Sequence, residues 1–243
     1  MPGFPYKMNP TEKLVETVVK EAREVLDGSP ETTCCHKAEC CKAGCPNMYF
    51  VEFLNIRRNH VEKLPRAERT LLTIDCIRRY LWNVDHKNPK PCVFLGQDNM
   101  CKIYDHRHIK CRLYGVIPQW TYVKNANAVA KENGVALEEM PLATQCPFVK
   151  IKPKWQDRFP DNKVPEDTIK KWERKLRELD RRLGLPPDMQ DEGYGFLTYH
   201  DWHLMFEMGA EWMESLTKLR TQLTDEQKEH FIVSLKIALD KQD

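Results

Sequence analysis

The chain has 243 residues, 30% charged and 41% hydrophobic, with a net charge of +2; this balance excludes an extended disordered chain. So small a charge supplies no basic field for nucleic acid, although it is unevenly placed, +5 over residues 1–150 and −3 over residues 151–243. The opening MPGFPYKMNPTEK lacks the apolar run of a secretory signal, and no stretch is long enough to span a bilayer, HFIVSLKIAL being interrupted by Ser234 and Lys236. A cytoplasmic chain with no membrane span is expected.

In chain order, residues 9–28 read as a helix, with Asn9 as its cap, Pro10 in the first turn, Glu12 three residues after the cap and Gly28 as its stop. Leu14, Val15, Val18, Val19, Ala22, Val25 and Leu26 form its apolar face. Next comes ETTCCHKAECCKAGCPNMYF, which places five cysteines in twelve positions. YFVEFLNIRRNHVEKL reads as helical. After Pro65 a further helix carries Ile74, Ile77, Leu81 and Val84 at helical spacing. Cys76 lies inside that helix with no cysteine neighbour and reads as a small buried residue.

CVFLGQDNMCKIY, residues 92–104, predicts a short hairpin turning at Gly96 to Asn99. A short helix is expected from Asp105 to Gly115, and another on KNANAVAKENG. IKPKWQDRFPDNKVP reads as extended and linker-like. Pro165 then starts a helix with Ile169, Trp172, Leu176, Leu179 and Leu183 three and four residues apart. LGLPPDM breaks it, a long helix follows from Tyr199 to Leu223, and a last one starts at Thr224 with Gln227 completing a capping box. The expected fold is mainly α: a cysteine-cluster metal-binding core over residues 1–150 with a short β-hairpin, and a helical extension over residues 151–243.

All ten cysteines lie between Cys34 and Cys146. In a reducing compartment such local crowding points to metal ligands or catalytic thiols rather than a disulfide framework. Cys35-x4-Cys40 and Cys41-x3-Cys45 let one loop wrap a metal centre, and adjacent thiols can serve two centres. Cys92-x8-Cys101-x9-Cys111 is spaced for a second contribution to the same region, and Cys146 follows separately. The candidate ligands are Cys34, Cys35, Cys40, Cys41, Cys45, Cys92, Cys101, Cys111 and Cys146. Lys37, Lys42, Arg107, Lys110 and Arg112 stand beside them and would offset thiolate charge. Proline follows Cys45 and Cys146, which favours an iron–sulfur cluster, 4Fe–4S in type, over the alternative of zinc. The thiols suffice for two four-cysteine centres, or for one cluster and a zinc site.

PCVFLGQDNMCKIYDHRHIKCRLYGVIP resembles the second half of the YkgJ-like cysteine-cluster family, a zinc- or iron-chelating domain. The pattern falls on Cys92, Cys101, Ile103, Tyr104, Arg107, Cys111, Arg112, Tyr114 and Pro118. His108 stands where that family usually has proline. In the first half, Cys34, Cys40 and Cys41 match three of the family's four cysteines, Lys37 replaces the other, and Cys35 and Cys45 are additional. The resemblance spans residues 34–146. It implies a metal-chelating core, and, through the flagellin lysine N-methylases of that family, an iron–sulfur cluster.

Other candidates are weaker. His36, His106 and His108 lie among the cysteines as possible additional ligands. His200, His203, Glu207, Glu211 and Glu214 share one side of a helix, where a polar packing face is the simpler reading. Trp202, Met205, Phe206, Met208, Trp212 and Met213 could form a protein interface. Met48 occupies the third position of a Cys-x3-Cys-x2-Cys radical-enzyme pattern, and no phosphate loop or nucleophile elbow is present. No single thiol is marked out by a histidine partner. The leading expectation is an iron–sulfur protein in electron transfer or a redox role, joined to a protein partner through the helical extension. A cluster-dependent modifying enzyme, such as a protein lysine N-methylase, and a structural zinc scaffold are the alternatives.

Overall fold

A computed structural model describes residues 10–33, 38–42, 44–82, 90–118, 123, 127, 131, 149–185 and 197–240. Helix α1 (Glu12–Asp27) buries Val15, Val18, Val19, Ala22, Val25 and Leu26 along one stripe. Its cap is Thr11, whose Oγ1 accepts the Leu14 N–H at 3.3 Å. Pro10 therefore precedes the cap, and the expected Asn9 cap lies outside the described residues.

Helix α3 (Phe50–Asn59) is the central element, because every residue from Phe50 to Ile56 is buried. It is preceded by β1 (Thr32–Thr33), whose partner β2 (Lys150–Ile151) comes far later in the chain, and by the one-turn α2 (Glu39–Lys42). α4 (Arg66–Trp82) and the five-residue α5 (Ile109–Leu113) follow. The C-terminal third supplies α6 (Glu166–Arg182), α7 (Tyr199–Met208), α8 (Ala210–Gln222) and α9 (Asp225–Asp240). α6 packs on α1 and α3, whereas α7, α8 and α9 pack on α4; α7 also touches α3 and so joins the two groups. One apolar cluster runs through both, from Val15 and Phe53 to Trp172 and Trp202. Among the described residues, no helix is long and apolar enough to cross a membrane.

The structure corrects several expectations. The predicted hairpin at 92–104 is reduced to one antiparallel bridge, Leu95 with Cys101. The antiparallel strand pair instead joins Thr32 to Ile151 and Thr33 to Lys150, far apart in sequence. The helix expected from Asp105 to Gly115 is a 3-10 turn, Tyr104–His106, followed by α5 alone, and Gly115 leaves it at φ +82°. The expected helix on KNANAVAKENG lies outside the described residues except for Asn127 and Lys131.

Residues 151–165 are not a linker. Phe159 and Val164 are buried, the Val164 N–H donates to the Val116 carbonyl at 2.7 Å, and Asn162 Nδ2 donates to the Val149 carbonyl at 3.2 Å. Gly209, at φ +83°, divides the single helix expected over 199–223 into α7 and α8. The capping box of α9 forms, with Thr224 N–H donating to Gln227 Oε1 at 2.9 Å and Gln227 N–H to Thr224 Oγ1 at 3.3 Å.

Two buried carboxylates hold the head of α3. Asp180, at the end of α6, accepts the Phe50 N–H at 3.1 Å and the Val51 N–H at 2.8 Å. Glu52 accepts the Tyr49 N–H at 3.0 Å and the Ile109 N–H at 2.6 Å. Burial raises both carboxyls, Asp180 to about 8 and Glu52 to about 7, with the backbone donors opposing. An acid raised on folding contributes stability that is complete below its unfolded value and is lost as pH rises through its folded value. The stability advantage of the native protein over Asp180→Asn, followed by urea unfolding, is therefore expected to shrink as pH is raised from 4 to 8. Asp180→Ala, which orphans two buried amides, is expected to cost about 2–4 kcal/mol in the same measurement.

Candidate metal centre

Three chain segments build the site. In the first, Ala38 adopts a left-handed conformation at φ +58°, and its carbonyl accepts the Cys41 N–H at 2.9 Å and the Lys42 N–H at 2.8 Å. That turn starts α2 and sets the sulfurs of Cys40 and Cys41 3.8 Å apart. Gly44, at φ +111°, then redirects the chain into Cys45 and Pro46. The end of this loop is held by the C-terminal third: the Met48 N–H donates to the Leu197 carbonyl at 2.9 Å, and Trp202 Nε1–H donates to the Met48 carbonyl at 3.0 Å.

The second segment is tied to the first by its backbone, the Cys92 N–H donating to the Cys41 carbonyl at 2.7 Å. A tight turn then delivers Cys101: the Gly96 N–H donates to the Met100 carbonyl at 2.8 Å, and Asp98 Oδ1 accepts the Met100 N–H at 2.9 Å. A side chain at 96 would place its Cβ 2.6 Å from Asp98 Oδ1 and 3.2 Å from the Met100 carbonyl, so any larger residue there must displace the Asp98 side chain that holds the turn.

The third segment is α5 with the turn before it. Tyr104 donates its hydroxyl to the Thr32 carbonyl at 2.7 Å, and the Arg107 guanidinium lies 3.7 Å from the centre of the Tyr104 ring. The nearly buried Arg112 donates to the carbonyls of Leu26, Arg107 and Asp105 at 3.0–3.1 Å, anchoring α5 to the end of α1. Within α5, Cys111 Sγ lies 3.0 Å from His108 Nε2.

These segments enclose a cavity of about 30 Å³ lined by Cys40, Cys41, Cys45, Cys92, Cys101, Cys111 and His108. Met48, Phe94, Ile103 and Tyr104 form its apolar wall; among the described residues Arg107 is its cation and no Asp or Glu lines it. Cys92 is buried and the other five thiols are half-buried. Among the described residues, no three His, Cys, Asp or Glu side chains are already grouped around one metal position.

The thiols act on one another. The Cys41 thiol bonds to Cys40 and Cys101, which pushes Cys41 up; the same contacts lower Cys40, to about 7, and Cys101. The Arg107 charge also favours the Cys40 and Cys101 thiolates. A bond to Cys45 and then burial raise Cys92, and burial raises Cys111. So many thiols cannot all ionise together without a compensating cation.

Of the nine candidate ligands, six meet at this cavity, while Cys34, Cys35 and Cys146 lie outside the described residues, as does His36. Cys76 is fully buried in α4 and does not reach the cavity, and neither does His106. His200 and His203 are buried packing groups: His203 shares hydrogen bonds with Thr73 Oγ1 at 2.9 Å and the Tyr199 hydroxyl at 3.4 Å, and His200 Nδ1 pairs with Thr198 Oγ1 at 2.8 Å. Glu207 pairs with Arg57 and Glu214 with Lys218, and Glu211 and Glu214 fall on α8, beyond the Gly209 break. Of the aromatic and methionine stripe expected to form an interface, Trp202 is buried, Met205, Phe206, Met208 and Met213 are partly buried against the core, and Trp212 is exposed.

The sequence marks out no single thiol by a histidine partner; the structure sets His108 Nε2 beside Cys111 Sγ. Glu52 and Trp202 also hold the site in ways sequence reading missed. The signal available for Glu52 was one acid inside the apolar run YFVEFL. Comparison with known proteins finds no matching family model, no matching curated protein and no matching solved structure.

The turn at 96–100 supplies a direct test of how Cys101 is positioned. Gly96→Ala is expected to lower metal retention after dialysis against a chelator, with the helical circular dichroism unchanged. Equal retention would remove the turn from the construction of the site.

Proposed function

We propose that the cavity holds an iron–sulfur centre and that the protein carries electrons to or from a protein partner. The observation that carries this reading is the meeting of six cysteine sulfurs, from three separate segments, on one cavity. A set of thiol and imidazole donors, with no carboxylate among the described lining residues, suits soft or borderline metals and is unsuited to calcium or magnesium. Six thiols are more than the four that one zinc or one 4Fe–4S centre takes and fewer than the eight that two four-cysteine centres need.

Ligands for the centre would come from Cys40, Cys41, Cys45, Cys92, Cys101 and Cys111. When bound, a 4Fe–4S centre supplies one-electron redox chemistry. Met48, Phe94 and Ile103 keep water from the sulfurs, and Arg107, held over Tyr104, offsets part of the thiolate charge. The half-buried thiols leave the site near enough to the surface for a partner to approach. Membership of the YkgJ-like cysteine-cluster family is proposed with it, since Tyr104, Arg107, Cys111 and Arg112 each have a part in building this site. The exposed Val233 and Ile237, one turn apart on α9, offer the helical extension a contact for that partner.

Anaerobically purified protein is expected to be brown, with iron and acid-labile sulfide in equal amounts. A colourless protein with stoichiometric zinc would replace this reading by a structural zinc scaffold. Cys92→Ser, Cys101→Ser and Cys111→Ser should each lower the iron content at least several-fold, while Cys76→Ser should keep it at the native level and cost only stability, about 1–3 kcal/mol by denaturant unfolding.

A further inference from the structure

Resting on the iron–sulfur reading above, we infer that His108 is a positioning residue for that centre: its Nε2–H donates to Cys111 Sγ and raises the reduction potential without His108 binding the metal. His108 is 1% exposed and lines the cavity beside Cys111. Its Nε2 is 3.0 Å from Cys111 Sγ, and its buried Nδ1 has no hydrogen-bond partner among the described residues.

One bonded and one unpartnered ring nitrogen together assign both the proton and the role. A buried N–H without an acceptor is costly, so the ring proton belongs on Nε2, where a sulfur accepts it, and Nδ1 carries the lone pair. A histidine that ligates a metal normally donates its other ring N–H to a carboxylate, a carbonyl or water, which fixes the ring. Nδ1 has no such support among the described residues, so the pattern is that of a donor to a ligand rather than of a ligand. The backbone carries the arrangement: His108 is the N-cap of α5, its carbonyl accepts the Arg112 N–H at 3.1 Å, and Cys111 lies one turn along. Arg107 and Lys110 flank the pair without bonding to it. A hydrogen bond to a cysteine ligand withdraws electron density from sulfur and stabilises the reduced centre, one of the ways a protein sets such a potential.

The test is a redox titration of the full chain, purified anaerobically and first analysed for iron and sulfide. His108→Leu should keep native iron and sulfide and shift the midpoint potential downward. His108→Gln, which retains an N–H donor at similar reach, should return it toward the native value. An unmoved potential in a fully loaded His108→Leu, or a Gln variant as low as the Leu variant, overturns the inference. Loss of iron from both variants assigns His108 as a ligand and overturns it equally. Should neither variant fold, pulsed electron paramagnetic resonance of the reduced native protein with 15N-labelled histidine decides. A weak nitrogen coupling supports a donor, whereas a strong directly bonded coupling, or none, rejects it. Native protein lacking an iron–sulfur centre sinks the proposed function itself; a loaded native protein with unmoved potential sinks only the role of His108.

Discussion

The buried carboxylate of Glu52 is the joint on which the site depends. One oxygen takes the Tyr49 N–H just ahead of α3, and the other takes the Ile109 N–H at the head of α5. The loop carrying Cys45 and the helix carrying Cys111 are thereby fixed to a single side chain. Lys110 adds a second tie between the same segments by donating to Asn47 Oδ1. A carboxyl buried without partners would be heavily destabilising, so the bonds at Glu52 must form together with the packing around it. Asp180 repeats the device on the next two amides of α3 and brings in α6. The most buried helix of the protein is thus oriented through its first turn, and the thiols inherit that orientation.

What surrounds the sulfurs follows the same logic of paired demands. Arg112 spends its donors on three carbonyls and serves as a backbone brace, while Arg107, bonded through Nε to the Tyr104 carbonyl, is left to face the cavity. Two arginines close together in sequence therefore have separate tasks, one mechanical and one electrostatic. The apolar wall lowers the local dielectric, which makes the remaining charge on Arg107 count for more at the thiolates.

Periodicity made much of the helical architecture legible. α1 and α6 each bury one stripe against the other, so Val15 to Leu26 and Ile169 to Leu183 could be read from spacing alone. Where a single glycine or turn decides, spacing was silent. Gly209 splits a continuous pattern, and the left-handed Asn99 closes the 96–100 turn after one cross-strand pair. The segment 151–165 read as a linker because its apolar residues are few and irregular; Phe159 and Val164 nevertheless bury fully, having found places between elements distant in sequence. For the site, clustering of cysteines was visible, and the isolation of Cys76 was correctly separated from it. The roles of Glu52 and Trp202 were not, since each works through a contact that only the tertiary fold creates, whereas His108, already a candidate from its place among the cysteines, meets Cys111 within one turn of chain.

The bond from Trp202 Nε1 to the Met48 carbonyl has a bearing on biosynthesis. Every cysteine of the chain precedes residue 147, whereas the clamp on the loop that follows Cys45 is supplied by α7. A ribosome releases all of the thiols before it releases the indole that steadies one of their loops, and chains acquire structure as they emerge. The growing polypeptide therefore passes through an interval in which its sulfurs are translated but not yet locked, before the last helices shut the frame.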